Sequence, residues 1–526
     1  MPANFKPLSF TTTIRNPARF KFFLKVLEKF DGEVLTNELA REIEINLIKE
    51  KIYRVNALSN YPSIKAKYDK LNEPLSAKEA TKLQDSTPLA KKQRGFDRGP
   101  PSRFDTHFQI PKRLGLVYYS PPNINKEKLN ITHLGKKLLN EASLENIPEP
   151  HEVSAVGEIE QSIFAHCFAK YQRKNPFTAE LNHNKPVSLL LRVIKLLKED
   201  PNTLSHAGIS AKELQFLLIW KDNNAESLFN EIKDFRLKYG LNPSNEVITN
   251  KIWQINEGIY NSFQSISLRS LADEIIRKMR ITGLFTLRGA GRFLDINKNT
   301  NDLSEYIVEH YSDIKNFELH NPIDIEKYFT YLSDIDETFI SEKNLVRIST
   351  NTEQISYWAE YLGWDIIKKE LLNLKEKRDS RHDILKIIPG PTRLEFLTTL
   401  AIKLKCKSYE VKPNYNVDDQ GLATSPAPGG RADIECFKEN NVVLTEVTLH
   451  RSGHEQGSNE IPKIRRHINK KKDENTNYNV SAAYITPKMH EDALFLIGYA
   501  GSQNIYIKPY AIDEFLEHIE NKIDLI

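Results

Sequence analysis

The chain is poor in the features that mark several protein classes. Its three cysteines, Cys167, Cys406 and Cys436, lie far apart and form no CxxC pair, which excludes a disulfide scaffold and a cysteine-rich zinc site. The 526 residues include only 21 glycines and 26 prolines, too few for a collagenous or low-complexity chain. No apolar run approaches the ~18 residues of a membrane helix, and the N-terminal segment lacks the apolar core of a signal peptide. We therefore expect a cytoplasmic protein with no membrane partner.

The chain also has little excess of one sign of charge over the other. The 74 basic and 70 acidic residues leave a net charge of +4, so any nucleic-acid surface must be built from local clusters. The GxxxxGK[ST] pattern of phosphate-binding loops is absent, and the segment from Arg288 to Arg292 (RGAGR) is too short and basic for a dinucleotide fingerprint. These absences argue against a kinase or an NTPase.

The first 150 residues carry the pattern of a small DNA-recognition domain. Apolar spacing predicts helices over 20–30 and 35–54, and glycine and proline are expected to break regular structure in the basic segment 91–113. A strand at 114–120 and a helix at 129–140 follow, with Thr132, Gly135 and Leu138 at the spacing of a closing helix. This order resembles a winged helix, and an ordinary strand–turn–helix is the alternative.

The same outline returns in residues 151–300. Helices are predicted over 186–200, 208–220 and 267–283, and a basic hairpin over 284–296. We interpret this region as a second winged-helix-like subdomain, followed by a helical connector over 301–385.

Residues 386–526 differ from the preceding regions. Segments with the apolar period of a strand alternate here with segments that have the period of a helix. Strands are predicted at 409–413, 432–437, 442–449, 480–487 and 504–510, and helices at 392–405, 461–472, 489–500 and 512–520. This order predicts a layered α/β domain. The whole chain is thus expected to be a multidomain α+β protein with domains at 1–150, 151–300, 301–385 and 386–526.

Two acids mark the chemistry of the last domain. Asp433 lies in one predicted strand and Glu446 in the next, so an antiparallel hairpin would place both carboxylates on one face. Paired carboxylates repel each other, and a cation removes that repulsion. Mg²⁺ suits such a site because it binds one or two carboxylates together with water and phosphate oxygens. A solvated hairpin is the alternative interpretation.

This spacing resembles the acid–turn–acid–x–Lys motif of the PD-(D/E)xK nucleases. Thr448 stands where that motif has lysine, and Thr carries no positive charge. Glu460, His450 or Lys463 could replace the lysine, or activity could be weak or absent. Glu395, on the preceding helix, matches a further acid of these nucleases, although Thr392 and Glu395 also have the spacing of a helix-capping box.

A basic run follows the second acid. Lys463, Arg465 and Arg466 begin it, and it continues to residue 472 without an acid. Beside a carboxylate site, such a run favours contact with a phosphate backbone. A solvated basic helix is the alternative.

Several segments together resemble the AlwI-like type IIS restriction endonucleases and their related nicking enzymes. They are RLEFLTTLAI, RADIECF with LTEVTL, and NEIPKIRRH in the last domain, and TTTIRNPARFKFFL (11–24) and HFQIPKRLGLVYY (107–119) near the N-terminus. The resemblance implies an N-terminal recognition region and a C-terminal Mg²⁺-dependent cleavage domain of the PD-(D/E)xK type. Members of this family bind short asymmetric duplex sites, cut a few bases to one side, and lack the motif lysine.

The resemblance also implies roles for individual residues. Asp433 and Glu446 would hold Mg²⁺ with the carbonyl oxygen of Val447, Glu395 would position a second metal or a water molecule, and Glu460 would orient the attacking water. Residues proposed to contact DNA, by base readout or through phosphates, are Arg15, Asn16, Arg94, Arg98, Arg103, Arg288 and Arg292, with Lys463, Arg465 and Arg466 in the cleavage domain.

Double-stranded DNA is therefore the expected partner, and a second subunit or transient dimer could be required to cut the second strand. Two other functions remain open at this stage. The chain could be a strand-specific nicking enzyme or the large subunit of a heterodimeric cutter, or it could be a DNA-binding regulator with an inactive nuclease domain.

Overall fold

Helices dominate a mixed α+β fold in the computed structural model of this chain. The structure describes residues 4–10, 14, 16–69, 74–86, 95–141, 157–203, 207–256, 265–288, 292–340, 351–382, 384–418, 420–474 and 477–526. The chain divides into two compact units. The N-terminal unit spans most of residues 1–285 together with 296–348, and the C-terminal unit comprises mainly residues 286–295 and 349–526. The four predicted domain boundaries remain a prediction.

The N-terminal unit is mainly helical. Its helices are α1 (Phe20–Leu27), α2 (Asn37–Lys49), α3 (Pro62–Tyr68), α4 (Ala77–Asp85), α5 (Pro100–Arg113), α6 (His133–Leu139), α7 (Glu158–Lys170), α8 (Pro186–Glu199), α9 (Leu214–Ile219), α10 (Ala225–Tyr239), α11 (Asn245–Asn256), α12 (Ser265–Arg280), α13 (Asn301–Tyr311) and α14 (Pro322–Ser333). Its short strands are β1 (Val117–Tyr118), β2 (Asn130–Ile131) and β3 (Ile209–Ser210). The helices predicted at 20–30, 35–54, 186–200 and 267–283 are confirmed, with shifted ends.

The prediction of irregular structure over 91–113 is wrong in its second half, where α5 forms. Pro100 and Pro101 occupy its first turn, where a helix needs no amide donor. Pro111 lies in its last turn, so it interrupts the helical hydrogen bonds only near the end. The position of each proline, rather than the number of prolines, decides whether a helix can form in this segment.

The strand predicted at 114–120 and the helix predicted at 129–140 are both present in shorter form, as β1 and α6, with the second strand β2 between them. Strands β1 and β2 pair in antiparallel fashion, with Val117 opposite Ile131. The hydroxyl of Thr132 caps α6 by accepting a hydrogen bond from the amide of Gly135 at 3.0 Å. A Cβ at Gly135 would lie 2.2 Å from the carbonyl oxygen of Leu116, so only glycine allows α6 to pack this closely. The winged-helix assignment itself stays a prediction.

The C-terminal unit is a layered α/β structure. Its helices are α15 (Asn351–Lys375), α16 (Gly390–Lys405), α17 (Ile461–Glu474), α18 (Glu491–Gly501) and α19 (Ile512–Lys522). Its strands are β6 (Glu410–Pro413), β7 (Asn416–Val417), β8 (Ala423–Ser425), β9 (Ile434–Lys438), β10 (Asn441–Val447), β11 (Asn479–Thr486) and β12 (Ile507–Ala511). The predicted hairpin at 284–296 is also present, as β4 (Phe285–Arg288) and β5 (Phe293–Ile296).

Five of these strands form the central sheet in the order β12–β11–β10–β9–β6. Strand β10 pairs in parallel with β11 and in antiparallel fashion with β9. Successive side chains of β10 point to opposite faces. Val443 joins the core formed with α15, α16 and α19, whereas Val442 and Leu444 join the core formed with α17 and α18. Glu446 continues the second series, so its side chain lies on the α17 face of the sheet.

Among the described residues no helix is long and apolar enough to cross a membrane. The three cysteines are buried and make no disulfide.

Candidate active site

The hairpin of β9 and β10 brings Asp433 and Glu446 together, as the sequence predicted. Ile434 pairs with Thr445 in the antiparallel register, so the two acids occupy the next position along the ladder. The backbone amide of Val447 donates a hydrogen bond to Asp433 Oδ2 at 2.8 Å. Both residues are buried, with 5% of Asp433 and 1% of Glu446 exposed. The solvated-hairpin interpretation is therefore wrong for this pair.

Helix α17 supplies the positive partners of these acids. Lys463 Nζ lies 3.2 Å from Glu446 Oε2 and 3.8 Å from Asp433 Oδ1. One turn later, His467 Nδ1 lies 2.6 Å from Glu446 Oε1. Residues four apart share a helix face, so the buried side of α17 carries Lys463 and His467 beside the apolar side chains of Ile464 and Ile468.

Glu395 joins the site from α16 and does not cap that helix. The helix begins at Gly390, so the capping-box alternative is wrong. Its Oε2 accepts a hydrogen bond from the backbone amide of Ala427 at 3.0 Å. Burial raises the pKa of Glu395 to about 7, and the charge of Glu446 acts in the same direction. Near neutral pH, this carboxyl group can either hold or release a proton.

Glu460 approaches from a π-helical turn over Glu455–Glu460 that leads into α17. Single π turns are frequent at functional sites. Glu460 Oε1 lies 3.8 Å from His450 Nε2, and its carboxylate also hydrogen-bonds with Thr448. Burial raises the pKa of Glu460, while Lys463 and His450 lower it.

The four acids share one electrostatic environment. Burial raises the pKa of Asp433 well above its usual value, and the neighbouring charges of Glu446 and Glu395 raise it further. Lys463 interacts with all four acids and partly offsets their repulsion. The pKa of Lys463 is lowered by burial but raised by Asp433, Glu446 and Glu460, and the net shift is upward. The side chain therefore stays an ammonium ion.

The donor atoms fit a magnesium ion. Among the described residues, no three His, Cys, Asp or Glu side chains surround a common point in the manner of a complete metal cage. Mg²⁺ does not require such a cage, because it keeps several water or phosphate ligands besides one or two carboxylates. Glu446 Oε2 is buried, and its contact in the described part of the chain is the ion pair with the Lys463 ammonium at 3.2 Å. A buried carboxylate oxygen held only by a cation is also suited to bind a metal ion.

The residues predicted to contact DNA fall in different surroundings. Arg15 and Arg94 lie outside the described residues. Asn16 is buried and accepts a hydrogen bond from the amide of Ala18 at 3.1 Å, so it caps a short helical turn. Arg103 donates to the hydroxyl of Tyr53 at 2.8 Å.

The arginines of the β4–β5 hairpin make contacts within the C-terminal unit, to which the hairpin belongs. Arg288 lies 2.8 Å from Asp295 and donates to Gln420 at 2.5 Å, and Arg292 donates to the carbonyl oxygen of Ile387 at 3.0 Å. Exposed arginines are found elsewhere, at Arg98, Arg465 and Arg466. The contacts of all these residues with DNA remain predictions.

Sequence reasoning missed His467. The signal was available, because His467 follows Lys463 by four residues on the apolar face of a basic helix. A histidine on such a face is commonly a core residue, and only the position of β10 identifies its partner as Glu446. The predicted group of four acids, in contrast, does come together.

Comparison with known proteins gives a family match. A model of the AlwI restriction endonuclease family matches residues 112–356 and 318–517, and the second range contains all four acids. No curated protein matches the chain. One similar solved structure is the small subunit (R.BspD6I2) of the heterodimeric restriction endonuclease R.BspD6I. It is 22% identical over 30% of this chain and 76% of that chain, with a TM-score of 0.26.

Proposed function

The chain belongs to the AlwI restriction endonuclease family, and on that premise we propose that it is a Mg²⁺-dependent type IIS-like enzyme. The family makes it a restriction endonuclease, which is a nuclease acting on DNA. In our proposal it binds a short asymmetric duplex site and hydrolyses phosphodiester bonds a few bases to one side. The observation that supports this most is the buried pair of Asp433 and Glu446, whose side chains are 8% and 1% exposed and share the Lys463 ammonium.

Each acid has a proposed role. Asp433, Glu446 and the carbonyl oxygen of Val447 hold Mg²⁺, which when bound neutralises charge on the scissile phosphate and lowers the pKa of water. His467 fixes the orientation of Glu446 through its contact at 2.6 Å. Glu460 orients the attacking water from the π-helical turn. Glu395, with its pKa of about 7, exchanges a proton near the attacking group.

The reaction is a hydrolysis by in-line attack. A bond forms between the water oxygen and phosphorus, the bond from phosphorus to the leaving ester oxygen breaks, and the leaving oxygen takes up a proton. Both acids are buried on one face of the sheet, so they place the scissile phosphate without rearrangement of the strands.

Phosphate contacts beside the site would hold the DNA backbone. A cleft of about 310 Å³ is lined by His467, the partner of Glu446, and by Gly430, Arg431 and Lys470 among other residues. Arg465 and Arg466 lie exposed on the same helix. We assign backbone contact to this surface, and site recognition to the N-terminal unit, where Arg98 is an exposed candidate for base readout.

Digestion of a sequenced supercoiled plasmid, with Mg²⁺ and with EDTA, tests the proposal. Ends that require Mg²⁺ and lie at a fixed distance from one short motif are expected. Retained duplex binding without cleavage in any divalent metal would instead fit a DNA-binding regulator with an inactive nuclease domain.

The same digest also tests a second candidate function, that of a nicking enzyme or of one subunit of a heterodimeric cutter. The described residues form one cluster of this kind, and one centre cuts one strand at a time. Open-circle product alone would identify a nicking enzyme or a subunit that needs a partner. Linear product would require a second copy at the site or two successive cuts.

A further inference from the structure

The PD-(D/E)xK motif has a lysine two residues after its second acid, and this chain has no cation at that position. Thr448 occupies that position, and its backbone amide donates to the carbonyl oxygen of Ile485 at 3.0 Å. Its hydroxyl accepts a hydrogen bond from the amide of His450 at 3.2 Å. Thr448 is thus held within the protein and leaves a positive charge to come from another element.

Helix α17 brings an ammonium group to the same acids. Lys463 Nζ lies 3.2 Å from Glu446 and 3.8 Å from Asp433. The side chain of Lys463 is 34% exposed, whereas those of Asp433 and Glu446 are 8% and 1% exposed. Lys463 is therefore the most exposed of the three side chains, and it is the one that a substrate can reach most easily.

The neighbouring basic residues do not share this position. Arg465 and Arg466 are exposed, and Lys471 pairs with Glu435 at 2.8 Å. Lys470 donates to the carbonyl oxygen of Gly430 at 3.0 Å. Of the basic side chains on α17 in the described part of the chain, Lys463 is the one with ion pairs to both proposed metal ligands.

We propose that Lys463 is a catalytic residue that supplies, from helix α17, the cation missing from strand β10. The inference rests on the proposed nuclease function. Of the three residues that the sequence offered as replacements for the motif lysine, Glu460, His450 and Lys463, it selects Lys463 and assigns it contact with the scissile phosphate. Before substrate binds, the ammonium neutralises Glu446 and Asp433. In the substrate complex it contacts a non-bridging oxygen of the scissile phosphate, where negative charge grows as water attacks.

Two consequences follow from this role. The ammonium and Mg²⁺ are both attracted to Glu446 Oε2, so removing the ammonium should strengthen metal binding. It should also slow the chemical step, because the charge on the phosphate loses a partner. The second consequence separates this role from a structural one, because a lysine that only stabilised the fold would leave the saturated cleavage rate unchanged while the protein stayed folded.

The experiment compares Lys463→Met, Lys463→Gln and Lys463→Arg with the control Lys368→Met in the full-length protein. Lys368 pairs with Glu520 on the surface of the same unit, at 2.7 Å. Single-turnover cleavage is measured with saturating enzyme and Mg²⁺, metal affinity by the rise in melting temperature on titration with Mg²⁺ alone, and duplex affinity in EDTA.

We expect Lys463→Met and Lys463→Gln to slow cleavage by about 10²-fold, with a lower Mg²⁺ midpoint and nearly unchanged duplex affinity. Lys463→Arg should recover most of the rate, and Lys368→Met should match the wild type.

Three outcomes overturn the proposal. In the first, both neutral variants cleave at the wild-type rate. In the second, duplex affinity falls while the saturated rate is unchanged, which makes Lys463 a backbone contact. In the third, all three Lys463 variants melt earlier and lose activity equally, which makes it structural. A wild-type protein that cleaves no DNA would reject the nuclease function and this role with it, whereas cleavage by Lys463→Met at the same rate as an active wild type rejects this role alone.

Discussion

Buried charges are arranged in opposite ways in the two units. In the N-terminal unit, Arg236 binds Glu213 through two contacts of 2.8 and 2.9 Å and also donates to the carbonyl oxygen of Gly208 at 2.6 Å. Both side chains are almost fully buried, at 0% and 2% exposed. In the C-terminal unit, four acids share Lys463, with His467 as a second partner of Glu446. One arrangement satisfies its charges, and the other leaves a surplus of negative charge.

The difference indicates which region carries chemistry. A buried ion pair with complete hydrogen bonding has a structural role. Removing one partner lowers the stability of the fold strongly, because the other charge is left buried without a partner. Crowded acids with raised pKa values weaken the fold and are typical of sites that bind a cation or transfer a proton. The two regions should therefore respond in opposite ways to the loss of one charge.

The largest effect is expected at Asp433. Asp433→Asn keeps the shape of the side chain and an oxygen that can accept the hydrogen bond of Val447. We expect cleavage to fall by at least ~10³-fold, because one of the two carboxylates proposed to bind Mg²⁺ loses its charge. Duplex binding in EDTA should stay near wild type, and the melting temperature in EDTA should not fall, because repulsion among the acids decreases. Single-turnover cleavage, a shift assay and a thermal melt measure the three quantities.

Two results would contradict this contrast. Cleavage by Asp433→Asn at the wild-type rate would remove Asp433 from the site. A clear loss of stability in EDTA would show that this acid is structural, as in the N-terminal unit.

The next effect is on stability and lies in the N-terminal unit. Arg236→Met leaves Glu213 buried without its partner, which should cost about 3–5 kcal/mol. Hydrogen exchange of peptides from α9 and α10 localises the loss to that unit. As a matched control, Arg41→Met breaks an exposed pair with Asp85 and should cost only about 0–1 kcal/mol. Equal losses in the two variants would mean that burial does not set the value of the Arg236 pair.

The alternating periodicity of the last 140 residues was enough to predict most of the C-terminal unit. Its sheet strands and helices appear where the pattern placed them, although the short β7 and β8 were missed. Prolines misled the prediction for α5, because a proline is compatible with a helix in its first turn and disruptive further on. The extent of the two units could not be predicted, since α15 and the β4–β5 hairpin join the C-terminal unit through contacts that are distant in sequence.

The site was predicted in part for a similar reason. Asp433 and Glu446 are joined by one short turn, so their proximity followed from local pairing. His467 and Lys463 reach the same acids from a separate helix, and their position depends on how α17 packs against β10. A local pattern shows which face of α17 is apolar, but it does not show which strand that face covers.

The exposed arginines of α17 are a third class of charge, and they can be compared with the buried ion pair and with the crowded acids. Arg465→Gln and Arg466→Gln should each weaken duplex binding to a similar degree on site and non-site DNA. Each should also lower the salt dependence of binding by about 1 unit of slope, since one phosphate contact is lost. Fluorescence anisotropy at several salt concentrations measures both effects. Unchanged slopes in both variants would place the DNA backbone elsewhere.

The smallest effect concerns the pH dependence of stability. The pKa of Glu395 is about 7 in the folded protein, against roughly 4.3 in an unfolded chain. Between these values the folded state binds more protons than the unfolded state, so stability falls as pH rises from about 4.3 through 7. Glu395→Gln cannot lose this proton, and its melting temperature in EDTA should decline less than that of the wild type between pH 5 and 7.5.

Some decline should remain in this variant, because burial also raises the pKa of Asp433 and Glu460. Glu410→Gln is the matched control, since Glu410 is exposed on β6 and contacts Lys412 at the surface. Its curve should run parallel to that of the wild type. If the Glu395→Gln curve runs parallel as well, Glu395 is not part of the surplus charge that separates this site from the paired acids of the N-terminal unit. If it flattens, the crowding of the acids has a measurable cost to the fold, which is the cost that a bound cation would relieve.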